Sequence, residues 1–309
     1  MTASTLTLDD FARLFATTVD DLPAECLSIV ASKDFRYRRL DMAARDSIVT
    51  AILQRIDSET LWVSGPGKQA IWEKGWSENV QEYDRTHSVE ALTPKFIDSR
   101  PTLRLDRDYM QPVEAHFEFN FIDVYRHWAF KKYLQDAQTI FEFGCGSCQH
   151  LPVLAKLFPS TAWHGLDWAV ASSTLIAKLA AETSWNITGH VFDLYNPDES
   201  LALDTHDGVY TVGTMEQLGN GFEPFLQFLL RKRPRIVMHM EAIAELYDPA
   251  FLPDYLALRY HRKRNYLDGY LSRLRQLESA GVLTILKAHR LLFGSMYHDP
   301  YSLVVWKPR

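Results

Sequence analysis

The chain is poor in cysteine: Cys26, Cys145 and Cys148 are the only three in 309 residues, too few for a disulfide framework. It lacks any run of about 18 apolar residues, so no segment reads as a membrane span. It lacks an excess of positive charge as well. Lys and Arg number 33 against 39 Asp and Glu, a formal charge of −6, whereas general binding to nucleic acid or to an anionic membrane needs a net basic face. Met1 to Asp10 are polar and then acidic, without the basic start and apolar stretch of a signal peptide, so a cytoplasmic location is expected. No internal repeat or low-complexity segment interrupts the sequence.

Apolar residues make up 47% of the chain and charged ones 23%, enough material for a packed core. Aromatics reach 13%, a share that serves either a small-molecule pocket or extra core packing. Two textures follow one another. From about Leu6 to Arg126 apolar residues recur at helical spacing, as in Phe11, Leu14, Phe15 and in Ile48, Ile52, Leu53, Ile56. Leu8-Asp9-Asp10 puts acidic residues at a helix start. A mainly helical N-terminal cap over 1–119 is expected, with Pro94 to Gln111 as irregular connection and a helix over Phe117 to Leu134.

After Ala137 short apolar runs alternate with helical stretches. Strands are predicted at Thr139–Phe143, Thr161–Leu166, Ile187–Phe192, Gly208–Val212, Arg235–Met240, Val282–Ala288 and Tyr301–Trp306. Helices are predicted at Leu151–Phe158, Ala169–Thr183, Phe222–Arg231 and Tyr255–Ser279. Such alternation implies a mostly parallel sheet covered on both faces. Only Arg290 to Pro300 separates the last two strands, too little for a helical crossover, so they should pair antiparallel. The expected fold class over 120–309 is therefore α/β, five β/α units ending in an antiparallel hairpin.

The chemistry begins where the first of these strands ends, at Glu142-Phe143-Gly144-Cys145-Gly146. Glycines there let the backbone turn sharply and admit a ligand with no Cβ in the way. Asp167 ends the next strand, where a carboxylate can accept both hydroxyls of a ribose, and Asp193 ends the third. A nicotinamide dinucleotide site competes for such a turn. Its fingerprint needs a third glycine where Gln149 stands. It also needs room for a pyrophosphate, which Glu142 would repel. Cys145 and Cys148 form a Cys-x-x-Cys pair with no second pair to complete a metal site, and small side chains filling a tight turn account for them.

These residues resemble the class I S-adenosylmethionine-dependent methyltransferases, whose hallmark is an acidic residue two before a Gly-x-Gly turn. The resemblance covers about Ile122 to Arg309 and implies a Rossmann-like, seven-stranded methyltransferase sheet ending in an antiparallel hairpin. It implies S-adenosyl-L-methionine as cofactor, with its methionine part against Glu142, Gly144 and Gly146. Asp167 would hold the ribose and Trp168 would lie against the adenine. Asp193 would accept from the adenine amino group, with Leu194 nearby. The segment Thr211–Gly213, followed by Met215-Glu216-Gln217, matches where the family's cofactor and acceptor pockets meet, so Gly213 joins the set. Cys148 stands where the family often has a third glycine.

Methyl transfer is an in-line displacement that needs positioning and, for a hydroxyl acceptor, a base. Ligands of open α/β sheets sit beyond the carboxyl ends of the strands, which makes Glu241 the first candidate base and Glu216 the second. His298, in a loop expected to act as a lid, is the third, while His239 reads as a core histidine. The Trp62 to Trp76 stretch of the cap would suit a glycan or other small polar acceptor. The expected activity is O-methylation of a sugar-like or natural-product molecule, with no metal and no nucleic-acid or membrane partner. A non-catalytic cofactor-binding module of the same fold is the alternative, as is an N- or C-methyltransferase.

Overall fold

A capping box starts the first helix: the Thr7 side chain accepts from the Asp10 amide at 3.3 Å, and the Asp10 carboxylate accepts from the Thr7 amide at 2.9 Å. The computed structural model describes residues 3–95 and 101–309. Its first part holds β1 (Ser4–Thr5), α1 (Leu8–Phe15), α2 (Ala24–Ser32), β2 (Arg36–Arg39), α3 (Met42–Asp57), α4 (Gln69–Thr86), β3 (Leu103–Leu105) and β4 (Asp108–Pro112). Helix α5 (Phe117–Leu134) then leads into β5 (Thr139–Phe143), α6 (Leu151–Leu157), β6 (Ala162–Asp167), α7 (Val170–Glu182) and β7 (Ile187–Val191). The rest comprises β8 (Gly208–Val212), α8 (Glu223–Lys232), β9 (Ile236–Glu241), α9 (Leu252–Arg264), α10 (Tyr270–Ser279), β10 (Leu283–His289), β11 (Phe293–Ser295) and β12 (Ser302–Pro308).

Seven strands form one sheet in the order β10-β12-β9-β8-β5-β6-β7. Strands β5 to β9 pair parallel, while β12 runs antiparallel to both β9 and β10. Because β5 has β6 on one side and β8 on the other, the strand order reverses there, and a crevice opens beyond the carboxyl ends. All six residues of β9 are buried, as expected for a strand covered on both faces.

The cap is not helical alone. A second sheet, β1-β2-β4-β3-β11, runs through it. Strands β3 and β4 lie in the stretch read as irregular connection, whose residues 96–100 fall outside the described residues. They are joined through Asp106 and Arg107, both at positive φ (54° and 66°), the twist a two-residue hairpin turn demands. Strand β11 comes from the segment read as a lid and pairs with β3. The helix expected over Tyr255–Ser279 is two helices, because Asn265 takes a left-handed C-cap at φ 54° and ends α9.

One core spans cap and sheet. Phe11 and Phe15 of α1 pack on Phe121, Tyr125 and Trp128 of α5, and Phe121 stacks on Phe293 at 3.7 Å. A buried ionic cluster ties the second sheet to the other elements. Arg104 pairs with Asp254 at 2.8 Å and with Asp299 at 3.1 Å, and Arg290 reaches Asp299 at 2.6 Å and also pairs with Asp254. Among the described residues no helix is long and apolar enough to cross a membrane.

Candidate active site

The turn after β5 needs its glycines. Gly144 (φ 75°) and Gly146 (φ 52°) are left-handed. A Cβ on Gly144 would come within 2.2 Å of the Thr214 side chain, and one on Gly146 within 2.7 Å of the Trp76 ring. The amide of Gly146 donates to Asp167 Oδ2 at 2.9 Å, and the amide of Ala169 donates to Asp167 Oδ1 at 2.9 Å. One carboxylate thereby joins the turns after β5 and β6. Burial pushes Asp167 up to about 6, with those two amides working the other way.

These turns floor an open cleft. Glu142, Gly144, Gly146, Asp167, Trp168, Asp193, Leu194 and Gly213, the eight residues singled out in the sequence for a cofactor, all line it. Glu142 is buried and accepts from the Tyr210 hydroxyl at 2.6 Å. Burial pushes its carboxyl up to about 8, and the Asp167 charge adds to the rise. Asp193 is held by its own loop, accepting from the Tyr195 amide at 2.8 Å and the Asn196 side chain at 2.9 Å. Trp168 and Tyr195 face one another across the far end, ring centroids 6.2 Å apart. Cys145 and Cys148 are free and buried, and their contact together with burial pushes the Cys145 thiol up.

Helix α4 covers this cleft. Its Trp72 and Trp76 line the wall and stack at 5.5 Å, while Trp62 meets Trp72 edge-on. Gln69 donates to the Trp168 carbonyl at 2.8 Å, and Glu73 accepts from the Ala171 amide at 3.1 Å, so the helix is pinned to the start of α7.

Known proteins offer matches of shape only. No protein-family model and no curated protein matches the chain. Among solved structures, an O-methyltransferase from neocarzinostatin biosynthesis is similar at 13% identity over 78% of this chain and 70% of its own, with a TM-score of 0.42. Geranyl diphosphate C-methyltransferase from Streptomyces coelicolor is similar at 11% identity over 64% of this chain and 88% of its own, with a TM-score of 0.43. A small RNA methyltransferase is similar at 15% identity over 60% of this chain and 25% of its own, with a TM-score of 0.46. The decisive feature is internal: antiparallel β12 inserted between β9 and β10 beside five parallel strands, which the all-parallel dinucleotide-binding order does not contain. The fold is that of the class I methyltransferases.

Within this methyltransferase fold the three candidate bases stand away from the cleft. Glu241 is fully buried beneath the loop after β8 and accepts from the Thr211 hydroxyl (2.7 Å), the Thr214 amide (3.0 Å) and the Glu216 amide (3.1 Å). It anchors that loop instead of facing a ligand. Glu216 is buried beside it, and burial plus the Glu241 charge push it up to about 8. Its neighbour Gln217 lines the cleft in its place. His298 is buried among Tyr260, Tyr266 and His261, whose ring nitrogen lies 3.1 Å from its own. His239 is a satisfied core residue between the Thr211 and Tyr270 hydroxyls, both at 2.8 Å.

Gln149, weighed in the sequence only as a missing glycine, and His150, not singled out there, also line the cleft. Burial pushes His150 down to about 3, with the Arg126 charge adding to the fall. Arg126 Nη1 lies 3.5 Å from His150 Nδ1. A guanidinium can only donate, so the neutral ring carries its proton on Nε2. The signal that could have found these two residues was their place at the start of α6, directly after the glycine turn.

Proposed function

We propose that the protein transfers a methyl group from S-adenosylmethionine to oxygen on a small-molecule acceptor. The observation that carries this reading is the Asp167 carboxylate, clamped by the Gly146 and Ala169 amides in the cleft that Glu142 also lines.

The residues present fit that cofactor. The Asp167 oxygens accept from the Gly146 and Ala169 amides, and a carboxylate's four lone-pair sites leave acceptor capacity for ribose hydroxyls. Gly213, at φ 60°, has open space where a side chain would stand, so a ligand can approach its backbone. Glu142 suits the ammonium of the methionine part, because a nearby cation favours the ionised carboxylate that burial alone disfavours. Trp168, Leu194 and Tyr195 supply the apolar faces for the adenine, and Asp193 an acceptor for its amino group. Bound there, S-adenosylmethionine supplies a methyl group on a positively charged sulfur. The chain's share of the work is orientation by the two turns and exclusion of water by Trp72 and Trp76.

The tryptophans expected to grip a glycan are engaged over the cofactor cleft, with Trp62 stacked under the Arg264 guanidinium at 4.7 Å. We therefore assign a compact natural-product-like acceptor ahead of a sugar chain. Incubation with methyl-tritiated S-adenosylmethionine and, separately, a metabolite pool, a glycan extract and RNA tests this. Label is expected in the metabolite pool. Label confined to glycan or RNA contradicts the acceptor class, and label in none contradicts the activity.

A further inference from the structure

Strand β8 is buried along most of its length, and its alternation turns Tyr210 to the sheet face that carries Ile140 and Glu142 of β5. Glu142 and Tyr210 stand opposite one another in the parallel pairing of β5 with β8, so the register itself brings carboxylate and hydroxyl together. The Tyr210 hydroxyl donates to Glu142 Oε2 at 2.6 Å. Packing alone asks for no hydroxyl at this position. The ring lies against Phe130 of α5, centroids 5.0 Å apart, and edge-on to His150 at 6.3 Å. A fully buried hydroxyl carries a desolvation cost that a partner must offset, and its partner is a carboxylate of the cleft wall.

The other titratable and charged neighbours of Glu142 leave that role to Tyr210. Asp167 of β6 repels the ionised carboxylate. Arg126 of α5 attracts it, but the guanidinium is engaged by Asp123 at 2.8 Å and by the Gln149 carbonyl at 3.2 Å. Burial keeps His150 of α6 neutral, and the Cys148 contact together with burial keeps the Cys145 thiol protonated. Tyr210 stays a donor, because burial and the Glu142 charge push its hydroxyl well above the usual tyrosine range. Burial raises the Glu142 carboxyl, and the Tyr210 hydrogen bond is the largest influence against that rise. Among the described residues only Tyr210 bonds this carboxylate, so Oε1 is left for the cleft that Glu142 lines.

We propose that Tyr210 is a positioning residue for the cofactor's ammonium: its hydroxyl holds Oε2 and fixes the carboxylate plane, leaving Oε1 of Glu142 in the cleft as the acceptor; the inference rests on the methyl-transfer reading above. Tyr210 is not part of the cleft wall and acts through Glu142. It thereby sets the preference for a nucleoside that carries a methionine part over the same nucleoside without one.

Calorimetry with S-adenosylhomocysteine and with methylthioadenosine, which keeps adenine, ribose and sulfur but has no ammonium, separates this role from a structural one. Tyr210→Phe is expected to bind S-adenosylhomocysteine at least about tenfold more weakly at neutral pH. Its affinity for methylthioadenosine is expected to equal that of the wild type, which also certifies the variant's fold. In a Glu142→Gln background Tyr210→Phe is expected to add less than about a threefold further loss, because the two residues act as one unit. Carbon NMR of the ligand-free protein, labelled at glutamate Cδ, reads the contact without any ligand. The Glu142 carboxyl is expected to titrate at a higher pH in Tyr210→Phe than in the wild type. Equal weakening of both ligands reduces Tyr210 to packing and overturns the proposal. Unchanged affinity for S-adenosylhomocysteine, or an unmoved Glu142 titration, overturns it as well. A wild type that binds neither ligand overturns instead the methyl-transfer reading beneath it.

Discussion

The backbone amide of Gly146 donates to the carboxylate of Asp167 at 2.9 Å, across 21 residues of sequence, and so locks together the two turns that floor the cleft. Asp167→Ala removes that lock along with the ribose acceptor. Loss of two charge-assisted bonds weakens S-adenosylhomocysteine binding by roughly 2–4 kcal/mol. Calorimetry checks it, and unchanged affinity would show that Asp167 serves the turn alone.

Glu142 makes cofactor binding depend on pH. Burial raises its carboxyl from 4.5 to about 8, so the folded chain binds that proton more tightly than the unfolded chain does. Its contribution to stability is complete below 4.5 and is lost as the pH rises through about 8. An ammonium arriving beside it reverses the preference. Binding of S-adenosylhomocysteine at neutral pH is therefore expected to release a proton and to tighten as the pH rises towards 8. Calorimetry in buffers of different ionisation enthalpy measures the release, which Glu142→Gln should abolish. Release that persists in the variant assigns the proton to another group.

Glu241 behaves as a loop anchor. Gln in its place keeps one acceptor oxygen but turns an amide towards donors that need an acceptor. Glu241→Gln is expected to lose about 1–3 kcal/mol of stability through buried groups left unsatisfied. Cofactor affinity should fall with it, because Thr214 is a wall of the cleft. The pH profile of kcat is expected to keep its shape. A flattened alkaline or acidic limb in the variant would restore Glu241 as a base.

The ionic cluster of Arg104, Asp254, Arg290 and Asp299 is expected to be fragile to the loss of one member. Arg290→Met leaves Asp254 and Asp299 underneutralised in the core and is expected to cost about 3–5 kcal/mol in urea unfolding. A loss under about 1 kcal/mol would show that water reaches the site.

The parallel part of the main sheet was legible because its strands are short apolar runs with an acidic residue or a glycine at or next to the end, as at Glu142, Asp167 and Gly213. The cap's sheet was not. Its hairpin turns on Asp106 and Arg107 instead of a glycine, and β11 is three residues whose pairing with β3 spans nearly 190 positions. The eight residues carried over from the family's turns line one cleft because strand ends are fixed by the fold. The bases were harder, since sequence places Glu241 at a strand end without saying that Thr214 and Glu216 close over it.

Titration calorimetry of the wild-type protein with S-adenosylhomocysteine and with NAD tests the central claim most directly. The account predicts saturable binding of S-adenosylhomocysteine and none of NAD, because antiparallel β12 interrupts the all-parallel dinucleotide-binding order and Gln149 stands where that fingerprint needs its third glycine. Tighter binding of NAD than of S-adenosylhomocysteine would contradict it.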